Sequence, residues 1–205
     1  MPFYVIGRDG YFLPRPIRQD EVLLGPGQRA SVIVIGGQPG RYAFKSVLLK
    51  FDERPPLRTQ RVNEPLYVDV VRSSPIAHRR TFTFSASPDK KRFFINGKVF
   101  DEDRTDVTVK LGDTEEWTIL NEDTQYHDFH IHQTGFLVTE VNGVSTQFDG
   151  LRDTFSVPPM KDGKPGSAKM NIPFTDPRIV GRFVFHCHVV KHEDKGMMQT
   201  IEVRQ

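Results

Sequence analysis

Cysteine is nearly missing from this 205-residue chain: Cys187 stands alone, so no internal disulfide can form. Charge of one sign is missing too. With 28 Lys and Arg against 26 Asp and Glu, the formal net charge is +2. That lacks the footprint of a nucleic-acid binder and predicts a solvated, mixed-charge surface. No apolar run approaches spanning length, so no membrane span is expected. The opening MPFYVIGRDGYFLPRP has no basic region, no apolar stretch of signal length and no small-residue cleavage site, so no signal peptide is read there. Helical periodicity is scarce as well, with no apolar stripe longer than about two turns.

What the chain does have is strand. RASVIVIG, PLYVDVV, RTFTFSA, DVTVKLG and EEWTIL are short β-branched and aromatic runs separated by Gly, Pro, Asp and Asn. Turn signals recur at Arg8–Gly10 (RDG), Gly25–Gly27 (GPG), Asn96–Lys98 (NGK) and Val141–Gly143 (VNG), and DGKPGS at Asp162–Ser167 reads as a loop. The spacing predicts an all-β protein with a β-sandwich. A boundary is expected between about residues 50 and 80, where FDERPPLRTQRVNEP and SSPIAHRR are polar and Pro-containing, with a fresh strand from Thr81. Residues 80–205 suffice for a complete sandwich. The part before Lys50 offers only three or four strands, too few to close one, and so should lean on a partner and leave apolar surface or strand edges uncovered.

Six of the seven histidines fall in two groups: His127, His130 and His132 in QYHDFHIHQ, and His186, His188 and His192 in FHCHVVKH. His78 alone lies outside, in the expected linker, and reads as a surface residue. In a strand, alternate residues share a face. His130, His132, His186 and His188 then share one face if the two strands are neighbours. His127 and Cys187 take the other, and His192 and Met197 can join them from the following loop. A two-His, one-Cys set with a weak thioether is the blue-copper geometry. Zinc is the main competitor, and Met197 favours copper because a thioether is an uncommon zinc ligand.

These residues also carry a family resemblance. HDFHIH, His127–His132, resembles the HPxHLH motif of multicopper oxidases, and HCHVVKHEDKGMM, His186–Met198, is similar to their HCHxxxHxxxGM motif. GLRDTFSVPP, Gly150–Pro159, resembles the segment between those motifs, and residues 3–34 resemble the late strands of the second cupredoxin domain. Asp128, where the family usually has Pro, and Gln133, commonly Gly, are departures that replace no ligand. The resemblance implies a cupredoxin-like Greek-key β-sandwich at 80–205, preceded at 1–70 by part of a second cupredoxin domain plus linker. It implies copper as the cofactor. His127, Cys187 and His192 would bind the type 1 ion with Met197 axial, His130 would be a type 2 ligand, and His132, His186 and His188 would be type 3 ligands. Cys187 would pass electrons from a small-molecule or metal-ion reductant toward a trinuclear cluster that reduces dioxygen to water. Glu193 resembles the acidic residue that supplies protons there. A periplasmic or secreted location would fit the family.

The family cluster takes eight histidines, four of them from HxH motifs in a first domain, and this chain has no such motif before His127. Three readings stay open: part of an oxidase that needs a first cupredoxin domain, a stand-alone blue-copper carrier, and a non-redox copper or zinc protein. A homo-oligomer is a further partner to consider, although each copy brings the same four histidines.

Overall fold

The computed structural model describes residues 3–44, 47–50, 67–146 and 150–205. In chain order the elements are β1 Phe3–Arg8, β2 Tyr11–Gln19, β3 Ala30–Val34, β4 Arg41–Phe44, β5 Val47–Lys50, α1 Tyr67–Ser73, β6 Ile76–Ala86, β7 Phe93–Ile95, β8 Val107–Lys110, β9 Thr114–Asn121, β10 His127–Ile131, β11 Leu137–Val141, β12 Val144–Ser145, β13 Thr154–Val157, β14 Gly166–Pro173, β15 Gly181–Cys187, α2 Val190–Glu193 and β16 Met198–Arg204. A 3₁₀ turn covers Pro177–Ile179. The RDG turn joins β1 to β2 and the VNG turn joins β11 to β12 as hairpins, NGK closes a tight turn after β7, and GPG lies in the connection from β2 to β3, which do not pair. In NGK and VNG the Asn and Gly both take positive φ (Asn96 52°, Gly97 70°, Asn142 50°, Gly143 76°), the geometry that matches strand twist in tight hairpins.

From β6 onward the strands form two sheets of order β13-β10-β15-β16-β8 and β12-β11-β14-β9-β6-β7. Successive strands switch sheets: β8 to β9, β9 to β10 and β10 to β11 each cross the sandwich. The switching makes two pairs parallel, β16 with β8 and β6 with β9. This is the all-β, cupredoxin-like sandwich. Its interior holds Trp117, Phe82, Phe84, Phe129, Phe174 and Phe185, and Trp117 lies 5.1 Å from Phe185, edge to face. Glu115, a charge buried against this aromatic layer, is satisfied: it accepts from Trp117 Nε1 at 2.7 Å and from the Arg80 fork at 2.7 and 2.8 Å.

Four expectations need correction. PLYVDVV is not a strand, because Tyr67–Ser73 is helical. Val68 and Val71 are buried on Leu137 and Leu151 while Val70 is 50% exposed, so the apolar spacing that matters is three, not two. The first sandwich strand starts at Ile76, not Thr81, since Ile76 already pairs with Thr114 of β9. His78 is exposed as expected, but on that strand rather than in a linker. The DGKPGS loop ends early, because Gly166 and Ser167 pair with Asn121 and Leu120 and open β14. The linker stretch FDERPPLRTQRVNEP lies outside the described residues.

Ahead of the sandwich, β1 lies between β2 and β3 in a three-stranded antiparallel sheet, and β4 pairs with β5. The three-stranded sheet leans on the sandwich. A Cβ added at Gly150 would come 2.5 Å from Leu13, and one at Gly135 would come 2.5 Å from the Tyr11 ring. Away from this seam apolar groups face out: Phe12 is 82% exposed, Leu23 91% and Ile35 57%.

Candidate metal centre

β10 and β15 are neighbours, with Phe129 opposite Cys187, His130 opposite His186 and Ile131 opposite Phe185. Odd-numbered residues of both strands therefore point into the sandwich and even-numbered residues point out. The parity expectation holds, and it divides the histidines as written above.

On the inner face, Cys187 Sγ lies 3.5 Å from His127 Nδ1 and 3.6 Å from His192 Nδ1. His127 and Cys187 are fully buried and His192 is 5% exposed. His192 comes from α2, just beyond β15, and its ring stacks on Phe93 at 4.0 Å and 22°. Met197 is fully buried in the same core cluster. Its backbone N–H donates to His192 O (3.1 Å) and its carbonyl accepts from Cys187 N–H (3.0 Å), so the turn before β16 is tied to two of the donors. His127 Nε2 lies 3.3 Å from Asp123 Oδ2. A carboxylate there accepts the Nε2 proton, which leaves the Nδ1 lone pair aimed at the sulfur. Lys90 in turn pairs with Asp123. Burial opposes ionisation of Asp123, but hydrogen bonds from Lys90 and His127 hold its carboxyl at about 2.

Burial pushes the Cys187 thiol up to about 12 and lowers His192 to about 4; it also lowers His127 against the pull of Asp123. The pocket thus holds two neutral imidazoles and a thiol that stays protonated unless a strong Lewis acid binds the sulfur and displaces its proton to solvent. This soft, converging, buried donor set fits a thiolate-binding metal.

On the outer face the His132 and His186 Nε2 atoms lie 3.2 Å apart. The His130 ring lies 5.0 to 5.2 Å from those of His132, His186 and His188. His130, His132 and His186 are close enough to hold one ion. Two of the tautomers are set by carbonyls. His130 Nδ1–H donates to Asp153 O at 2.9 Å and His186 Nδ1–H to Cys187 O at 3.1 Å, so both Nε2 atoms remain free as ligands. Burial lowers His186 to about 4 and lowers His132 as well. Glu193 Oε2 stands 3.4 Å from His186 Nδ1, and its side chain is 31% exposed. Asp128, the departure from the family pattern, is buried and accepts a hydrogen bond from Ser156. Asp123, Lys90 and Phe93 shape the inner site and escaped sequence reasoning: only long-range pairing brings β7 and its preceding turn to α2, and Asp123, four residues before His127, carries no motif of its own.

A model of the multicopper oxidase family matches residues 73–205. A multicopper oxidase of Staphylococcus aureus is 39% identical over 115 residues, covering 53% of this chain and 24% of that protein. A laccase of Bacillus stratosphericus is 26% identical, covering 98% of this chain and 46% of that protein. The crystal structure of a multi-copper oxidase from Pediococcus acidilactici superposes with a TM-score of 0.79 at 25% identity, over 100% of this chain and 44% of that chain. This chain therefore spans less than half the length of these relatives. The family uses copper, and the buried His127, Cys187 and His192 donors fit its type 1 ion. With the match covering the whole sandwich, the chain belongs to the multicopper oxidase family.

Proposed function

We propose that this chain is the electron-accepting part of a laccase-like copper oxidoreductase. In this reading it supplies a whole type 1 site, from His127, Cys187, His192 and Met197, and half of a trinuclear site, from His130, His132, His186 and His188. The observation that carries the reading is the back-to-back arrangement on β15, where Cys187 faces one donor set and its two chain neighbours face the other. Copper at the inner site supplies one-electron redox chemistry, so the reductant is a small molecule or a metal ion taken one electron at a time.

The protein's own residues do the rest. The sandwich core excludes water around Cys187, and Asp123 and Phe93 hold the two inner imidazoles. Peptide links join Cys187 to His186 and His188, and the His186 Nδ1–H to Cys187 O bond of 3.1 Å adds a second connection between the faces. Glu193 is half-buried beside His186 and reaches solvent, which suits a proton donor toward the outer face. Residues 1–70 are read as part of a second cupredoxin domain, and completion of the outer site, and with it dioxygen reduction, as needing histidines from another domain or subunit.

A second reading is a blue-copper carrier. It is favoured by the inner set being complete while the chain's remaining histidine, His78, is exposed and lies on β6, in the other sheet from β10 and β15. Loading the chain with Cu(II) and recording visible absorption tests both. An intense thiolate-to-copper band is expected, and its absence sinks both readings. Oxygen uptake with a phenol, restored only when a first cupredoxin domain is added, supports the oxidase. Reversible one-electron reduction with no uptake under either condition supports the carrier.

A further inference from the structure

The sheet β2-β1-β3 brings no histidine or cysteine, yet it touches the outer histidine face at two points. Arg29, just ahead of β3, grips Asp153 with both ends of its fork, Nη1 to Oδ1 at 3.0 Å and Nη2 to Oδ2 at 2.7 Å. The guanidinium is itself held in place, donating to Gly27 O and Asp9 O at 2.9 Å each, while the Arg29 backbone N–H donates to Asp9 Oδ1 at 2.7 Å. Asp153 Oδ1 accepts the Thr154 hydroxyl proton at 2.8 Å. With that proton committed, Thr154 Oγ1 can only accept from His130 Nδ1, 3.0 Å away, beside the Asp153 carbonyl at 2.9 Å. The chain of donors has one direction, and its end gives the His130 Nδ1–H a second acceptor beside the Asp153 carbonyl. The second point is the turn before Arg29. At Gly27, with φ +75°, a Cβ would lie 2.5 Å from the His188 ring, so only glycine lets this backbone approach.

We propose that this N-terminal sheet is a positioning element for the outer histidines, with Arg29 setting His130 through Asp153 and Thr154, and the Gly27 turn setting His188. Arg29 and Gly27 are positioning residues and touch no reacting atom. The inference rests on reading the outer face as a copper site, but its geometric half stands apart from that reading. Arg29 is 53% exposed, so its ion pair contributes little to stability, and its removal should act on the site more than on the fold.

The test uses the full chain with labelled histidine nitrogens. In the metal-free wild type, two-bond proton–nitrogen NMR correlations should show His130 as a single Nδ1–H tautomer. Arg29→Ala and Asp153→Asn should give mixed tautomers at His130, and Arg29→Lys, which keeps the charge without the fork, should restore the single tautomer only in part. Gly27→Ala should shift His188 and leave His130 alone. In Cu(II) titrations the blue band should persist in Arg29→Ala, while affinity for a second, non-blue ion falls about 10- to 100-fold, the usual scale for losing an outer partner of a metal ligand. An unchanged His130 tautomer in both Arg29→Ala and Asp153→Asn would falsify the positioning role. So would loss of the blue band together with the second ion, which marks general damage. A wild type that takes no second ion, with the tautomer responding as described, instead refutes the copper reading of the outer face and leaves Arg29's control of His130 standing.

Discussion

On β10 and β15, odd-numbered residues face the sandwich interior and even-numbered residues face away. The inner donors proposed above, His127, Cys187, His192 and Met197, are all buried and come from two adjacent strands, one short helix and the turn that follows it. They sit among Phe84, Phe93 and Phe129, so the packing that holds the domain together also fixes the metal donors. The outer histidines lie on the same strands or, for His132 and His188, one residue past their ends, and only His186 among them is buried. Their positions depend on what is laid over the sheet, including an N-terminal sheet that provides no ligand. A site inside the core is complete once the domain folds; a site on its surface is only as complete as its neighbours.

Four changes sharpen or break this contrast. Cys187→Ser should have the largest effect, abolishing the thiolate-to-copper band entirely while non-blue copper at the outer histidines is retained, as visible and paramagnetic resonance spectra will report. Retention of the blue band would break the assignment of the inner site. Phe129→Ala removes a fully buried ring directly opposite Cys187. It should cost about 3–5 kcal/mol in denaturant unfolding, the usual range for this truncation.

Asp123→Asn removes the carboxylate behind His127. Copper affinity at the inner site should fall about tenfold, or about 1.4 kcal/mol, and the reduction potential should rise because the oxidised ion loses a nearby negative charge. The same variant has a pH signature. The Asp123 carboxyl titrates at about 2 in the fold against an ordinary 3.8, so its contribution to metal-free stability is present above about pH 4 and lost as pH falls toward 2. Asp123→Asn should flatten that part of the acid unfolding curve. The smallest effect is expected for His132→Gln on the outer face, with metal-free stability within about 0.5 kcal/mol of wild type and the blue band unchanged. A stability loss matching that of Phe129→Ala would mean the outer face is core-like after all.

Strand parity was legible because the side-chain period of a strand is two, and His130 and His132, or His186 and His188, cannot change faces without a bulge. Tight turns were legible because Asn-Gly pairs tolerate the positive φ they need. PLYVDVV was misread because a short run of valines satisfies alternation and helical spacing equally. The choice was made by Leu137 and Leu151, which bury Val68 and Val71 from more than 60 residues away.

By itself the sequence determined the sandwich class, the two groups of donors and their division between opposite faces, since each follows from local period and residue chemistry. Only the tertiary structure decided how those donors are held. Phe93 reaches His192, Lys90 reaches Asp123 beside His127, and Arg29 reaches Asp153 beside His130 across 124 positions of chain. Contacts over such separations depend on which strands become neighbours, and that depends on the packing of two whole sheets rather than on any local pattern.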